Sequence, residues 1–141
     1  MIILYRIPNE SPNIRKISIA LKQMNLPYVE KLIDSEEDEQ VLAEISPNGT
    51  TPAIFDTETG ATLFESAAIL LYLAEKSGKL LPHQEQSRAD VIKWLMFGAA
   101  NICPTMAELH YYLLNDVGQF PASVHERYQP TAYGKVLLYT R

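Results

Sequence analysis

The chain has 141 residues, 47% of them hydrophobic, which is enough for one ordinary domain with part of a second and for a buried core. Its 17 acidic residues outnumber 12 basic ones for a net charge of -5, so the basic footprint that phosphate backbones require is lacking and nucleic acid is excluded as a partner. No apolar run approaches the length of a membrane span, Cys103 is a single cysteine, and His83, His110 and His125 are scattered singly. No membrane partner, disulfide, CxxC pair or metal is therefore expected, and the protein reads as cytoplasmic.

In chain order, IILYRI (residues 2–7) is a nearly continuous apolar run stopped by Pro8 and Asn9, as in a strand buried on both faces. Ile14, Ile17, Leu21 and Met24 recur at helical spacing, and NLP ends that helix. A second strand follows over residues 28–33. The acidic run Glu36, Glu37, Asp38, Glu39 then opens a short helix to about Ile45, where the helix dipole favours solvated carboxylates. Residues 52–56 and 61–64 read as a hairpin around TETG. Ser66 begins a helix through Lys76, with Gly78 as its C′ glycine. The order βαβαββα describes an α/β thioredoxin-like domain with a mixed sheet. Beyond GKLLPHQEQS the periodicity is helical from Arg88 to Leu114, with Ile92, Leu95, Met96, Ala99, Ile102 and Met106 on one broad face. The expected organisation is a thioredoxin-like domain over 1–79, a linker over 80–87 and an incomplete all-α domain over 88–141.

The triplet SPN occurs at Ser11 and again at Ser46, but the residues after each copy share nothing, so there is no repeat. At the first copy Ser11 is placed to cap a helix and Pro12 to be its first residue, leaving free N–H groups and the positive dipole end at a loop. An ordinary capped helix and an anion site both fit those residues. The second copy leads through Gly49 and Thr50 to Thr51-Pro52, where a cis bond entering a strand would expose the Thr51 backbone for pairing with an extended peptide; a trans proline fits equally. In FESAAI, Ser66 reads as a helix cap with Glu65 just outside it. That pair suits the carboxylate and ammonium of an α-amino acid, and also suits a plain cap.

Taken together, SPNIRKISIALKQMNLPY, ISPNGTTPAIFD, TLFESAAILLYLAEKSGKLLP and SRADVIKWLMF resemble the cytosolic glutathione S-transferases, nearest the bacterial disulfide-reductase-like branch, the Nu class. The resemblance covers about residues 1–114. It implies that glutathione is the co-substrate, with Ser11 and Asn13 stabilising its thiolate for attack on an electrophile, a disulfide or a hydroperoxide. Thr51, before the family's cis-proline position at Pro52, would pair with the cysteinyl part; Glu65 and Ser66 would hold the γ-glutamyl end; Arg127 in HERYQ matches a further glutathione contact. It also implies a homodimer. Lowering a thiol from about pKa 8.5 to near 7 requires about 2 kcal/mol. A hydrogen bond to a charged group supplies roughly 1.5 to 3 kcal/mol and a helix N-terminus about 0.3 to 1, so Ser11, Asn13 and the dipole suffice.

Other candidates read as structure. Tyr5 lies mid-strand and reads as a core or interface tyrosine; Cys103 reads as a small buried hydrophobe; Phe97, Asn101, Met106, Tyr111 and Tyr112 suit either helix packing or an apolar electrophile pocket. Two departures stand out: Thr50 and Thr51 occupy positions where the family commonly has a basic and an aliphatic residue, and the chain stops in the apolar stretch before Arg141 where the family's helical domain continues. They motivate an alternative, a non-catalytic interaction or dimerisation module or a degenerate truncated copy.

Overall fold

The apolar run at the start of the chain forms β1 (Ile2–Arg6), and it lies inside the sheet rather than at its edge. The computed structural model describes residues 1–8 and 11–107. The elements that follow are α1 (Pro12–Met24), β2 (Tyr28–Leu32), α2 (Glu36–Ile45), β3 (Ala53–Asp56), β4 (Thr62–Phe64), α3 (Ser66–Ser77) and α4 (Glu85–Phe97). The strands are ordered β2-β1-β3-β4. β1 and β2 run parallel, as the long α1 crossover requires, while β1–β3 and β3–β4 are antiparallel. The expected βαβ half and ββα half are both present in one mixed sheet.

Alternation along the strands assigns the two faces. Tyr5 and Ala53 pack with Ile33 and Leu42, and Ile3, Phe55 and Ile45 of α2 join them. Tyr5, 6% exposed, is thus a core residue on the α2 face, as its mid-strand position implies. Ile2, Leu4, Ile54 and Asp56 alternate with these and point the other way. That face meets α3, because Asp56 bonds Tyr72 and Lys76. α1 packs beside α3 and buries Ile14, Ile17, Leu21 and Met24.

The helix ends follow local chemistry. Ser35 caps α2 by accepting the Asp38 N–H at 3.2 Å, and Lys31 reaches the Asp38 carboxylate at 2.9 Å. Asn25 closes α1 in the left-handed region at φ 56°, and Lys79 Nζ donates to the Met24 carbonyl at 3.1 Å. Gly78 closes α3 at φ 66°, a conformation in which only glycine avoids a steric cost, as the C′ assignment requires.

At the hairpin end of the sheet, Asp56 has no exposed surface and its Oδ2 accepts from Tyr72 Oη at 2.6 Å and from Lys76 Nζ at 2.8 Å. Lys76 also reaches Glu58 at 2.6 Å, and the Glu58 N–H donates to Asp56 Oδ1 at 3.0 Å. Burial pushes the Asp56 carboxyl up, but the hydrogen bonds from Lys76, Tyr72 and the Glu58 amide outweigh it and hold the group far below the usual carboxylate range. Lys76 is raised in turn by its hydrogen bonds to Asp56 and Glu58.

The chain divides into two compact units, Met1–Arg88 and Ala89–Arg141. In the helical region α4 begins at Glu85, and a π-helical turn, Gly98–Ile102, follows it. On α4 and the turn after it, Ile92, Leu95, Ala99 and Ile102 of the expected broad face are half-buried, whereas Met96 and Met106 are exposed; no residue of α4 is fully buried, and Trp94 is 65% exposed. Val91, Trp94, Met96 and Phe97 add exposed apolar surface outside the half-buried stripe of Ile92 and Leu95. Cys103 is half-buried rather than buried, in the helical stretch after the π turn.

Candidate functional site at one end of the sheet

Three of the segments singled out in the sequence meet at one end of the sheet, and strand register is the reason. Tyr5 stands opposite Ala53, and Ala53 stands opposite Phe64. β1 therefore ends, β3 begins and β4 ends at the same level. The loop to Ser11 leaves from the first, Thr51-Pro52 enters the second, and Glu65-Ser66 follows the third. α1 and α3 both start from this end, so two helix N-termini with their unsatisfied N–H groups lie on one side of it.

Ser11 is the N-cap of α1 and Pro12 its first residue, as expected; Ser11 Oγ accepts the Ile14 N–H at 3.3 Å. That bond uses one lone pair of the hydroxyl and leaves its proton for a second partner, such as a thiolate. Asn13 follows in the first turn, half-buried.

The Thr51-Pro52 peptide is cis. Its approach is fixed by Ser46, which the sequence offered only as the first letter of a triplet. Ser46 is fully buried at the end of α2, its N–H donating to the Leu42 carbonyl at 2.7 Å. Its carbonyl accepts from Gly49 N at 2.8 Å and its hydroxyl from Thr50 N at 3.3 Å. Gly49, at φ 60°, completes the turn. Ser46 is thus a positioning residue for the cis peptide.

At the third segment the reading of Ser66 as the cap is corrected. Glu65 occupies the cap position and Ser66 is already helical, because the chain passes from β4 to α3 through a single residue. Glu65 takes φ 64° and ψ 109°, and its carbonyl accepts the Ile69 N–H at 2.9 Å. A non-glycine residue held there stores about 1 to 3 kcal/mol of strain, the kind of cost that concentrates at binding sites. The Glu65 side chain makes no cap bond to the first N–H groups of α3, and Glu65 is exposed beside them. Nothing in the letters FES signals this strain, since glutamate has no preference for positive φ.

Arg127, Tyr111 and Tyr112 lie outside the described residues. Among the described residues no group of three or more His, Cys, Asp and Glu side chains is placed to hold a metal ion, and no helix is long and apolar enough to cross a membrane. The arrangement offers a hydroxyl, the cis peptide that leads into the inner strand β3, two helix N-termini and one carboxylate at a single end of the sheet. That donor and acceptor set suits an extended peptide carrying an α-amino acid head group and an anionic sulfur.

Residues 10–76 match the protein-family model for the glutathione S-transferase N-terminal domain. The disulfide-bond oxidoreductase YfcG of Escherichia coli K12 is 36% identical over 137 residues, covering 92% of this chain and 62% of that protein. A glutathione transferase family member from Pseudomonas fluorescens, solved with two glutathione bound, superposes with a TM-score of 0.71 at 39% identity over 79% of this chain and 51% of that one. A glutathione transferase from Pseudomonas putida, with one glutathione disulfide bound per subunit, gives 0.70 at 36% identity, over 79% and 50%. The chain thus spans about half to three fifths of the length of these relatives. Residues 10–76 of the chain thus form an N-terminal domain of the glutathione S-transferase family.

Proposed function

We propose that the protein binds glutathione at this end of the sheet and uses the glutathione thiolate in disulfide exchange. In this reading the Ser11 hydroxyl and the Asn13 side chain stabilise the sulfur beside the N-terminus of α1. The Thr51 backbone pairs with the cysteinyl part, the first N–H groups of α3 with Ser66 take the γ-glutamyl carboxylate, and Glu65 takes its ammonium. Arg127 remains a proposed further contact. The observation that carries the reading is the register of Tyr5, Ala53 and Phe64, which brings all three binding segments to one level.

The step balances with two glutathione molecules. One thiolate attacks a substrate disulfide, the S–S bond breaks and a substrate thiolate leaves; a second glutathione attacks the mixed disulfide and releases the second substrate thiolate with glutathione disulfide. The substrate gains two electrons and the two glutathione molecules lose them. The pair of glutathione molecules in the Pseudomonas fluorescens structure and the glutathione disulfide in the Pseudomonas putida one favour this over conjugation to an electrophile or peroxide reduction. A homodimer acting in the reducing cytoplasm belongs to the same proposal.

Thermal unfolding with and without millimolar glutathione tests it. The account expects a rise in melting temperature that is lost in the Ser11→Ala, Asn13→Ala double variant; absence of any rise in the parent protein would sink it.

A further inference from the structure

Thr51 carries a polar atom that the fold does not use. Its Oγ1 is withdrawn from solvent and has no hydrogen-bond partner, while the residue as a whole is only partly buried. Valine has almost the same shape without the oxygen, and an unpaired buried hydroxyl is unfavourable, so packing gives no reason for threonine here. Nor can the backbone relieve it. Ser46 holds Thr50 from one side, and the cis peptide to Pro52 and the β3 ladder hold the other. The remaining freedom is χ1, where one step of about 120° between staggered positions exchanges hydroxyl and methyl.

We propose that the Thr51 hydroxyl is a specificity contact for the peptide part of the ligand, turning from the interior to hydrogen-bond an amide or carboxylate of the bound thiol peptide. The inference rests on the glutathione reading and adds to it a side-chain contact beside the main-chain pairing. It selects peptide thiols over simple alkyl thiols, which offer no amide at that point. Threonine in place of an aliphatic residue is then a change of recognition chemistry, not a loss of it.

The test is calorimetric titration of glutathione into the parent protein, Thr51→Val and Thr51→Ser, with thermal unfolding of each free protein. Thr51→Val is expected to melt at or above the parent temperature and to bind glutathione about tenfold more weakly, equivalent to about 1.4 kcal/mol. Thr51→Ser keeps the affinity. Thr51→Val binding as the parent does overturns the inference while leaving glutathione binding intact. A free Thr51→Val protein that melts lower, with Thr51→Ser unchanged, overturns it too, because the hydroxyl then serves the fold. A parent protein that binds no glutathione overturns both this inference and the function on which it rests.

Discussion

Ala53 of β3 stands opposite Phe64 of β4, and through that pairing Pro52, just before β3, and Glu65, just after β4, lie at one end of the sheet. The chain must turn into α3 within one residue of this pair, which forces Glu65 to φ 64°. Strain and binding capacity are thus combined in one side chain, and substitution separates them. Glu65→Gly removes the strain and the carboxylate together, so it is expected to stabilise the free protein by about 1 kcal/mol while weakening glutathione binding. Glu65→Gln keeps the strain and loses only the charge, so it weakens binding with little change in melting temperature. Denaturant unfolding and calorimetric titration of the two variants check the separation.

Ser46 supports the site from beneath. Replacing it with alanine removes the acceptor for Thr50 N–H and loosens the turn that presents Thr51-Pro52. The expected loss is about 1 kcal/mol of stability, together with weaker glutathione binding although no ligand contact is changed. Unchanged affinity in a folded Ser46→Ala protein would show that the turn does not position the cis peptide.

The network around Asp56 sits at the opposite end of the sheet and predicts a stability effect without a binding effect. Asp56→Ala removes the buried acceptor shared by the Tyr72 hydroxyl and the Lys76 ammonium, leaving them only Thr59 and Glu58 as partners. Because Lys76 retains 18% exposure, the expected loss is about 2 to 3 kcal/mol, below that of a fully buried pair. Glutathione affinity of the folded fraction should stay at the parent value, which titration at low temperature reads.

The same network fixes the direction of a pH effect. Asp56 titrates lower in the folded protein than in the unfolded chain, so its stabilisation is complete above about pH 4 and is lost as pH falls toward its folded value. Lys76 titrates higher when folded, so its contribution is complete below about pH 10 and is lost as pH rises further. Melting temperature against pH should therefore fall on the acid side of about pH 4, and the acid limb should be shallower in Asp56→Asn.

Much of the first unit is legible in its letters because several signals coincide there. Ser11-Pro12 states a cap and first helical residue, Ile14, Ile17, Leu21 and Met24 state the buried stripe, and Gly78 states a left-handed stop. That the three segments belong together is implied by the family resemblance and not by the residues of any one of them; strand register is what brings them to one end of the sheet. The fine geometry of the site is less legible. Ser66 reads as a cap because serine usually is one, while the one-residue turn after β4 assigns that place to Glu65. Asp56 reads only as the end of a strand, because its partners Tyr72 and Lys76 come from a helix packed across the sheet. On helix α4 periodicity picks out the half-buried Ile92 and Leu95, but it does not foretell that Val91, Trp94 and Phe97 stay exposed.

Ser11 and Asn13, at the N-terminus of α1, are proposed to stabilise a thiolate. The most direct measurement is the ultraviolet absorbance of the bound glutathione thiolate as a function of pH, in the parent protein and in the Ser11→Ala, Asn13→Ala variant. Ser11→Ala also removes the helix cap, at about 1 kcal/mol, so titrations are made well below the melting temperature. The account predicts a midpoint near pH 7 in the parent protein and a return toward about 8.5, the value of a free thiol, in the variant. A parent protein that binds glutathione with its thiol still titrating near 8.5 would contradict it.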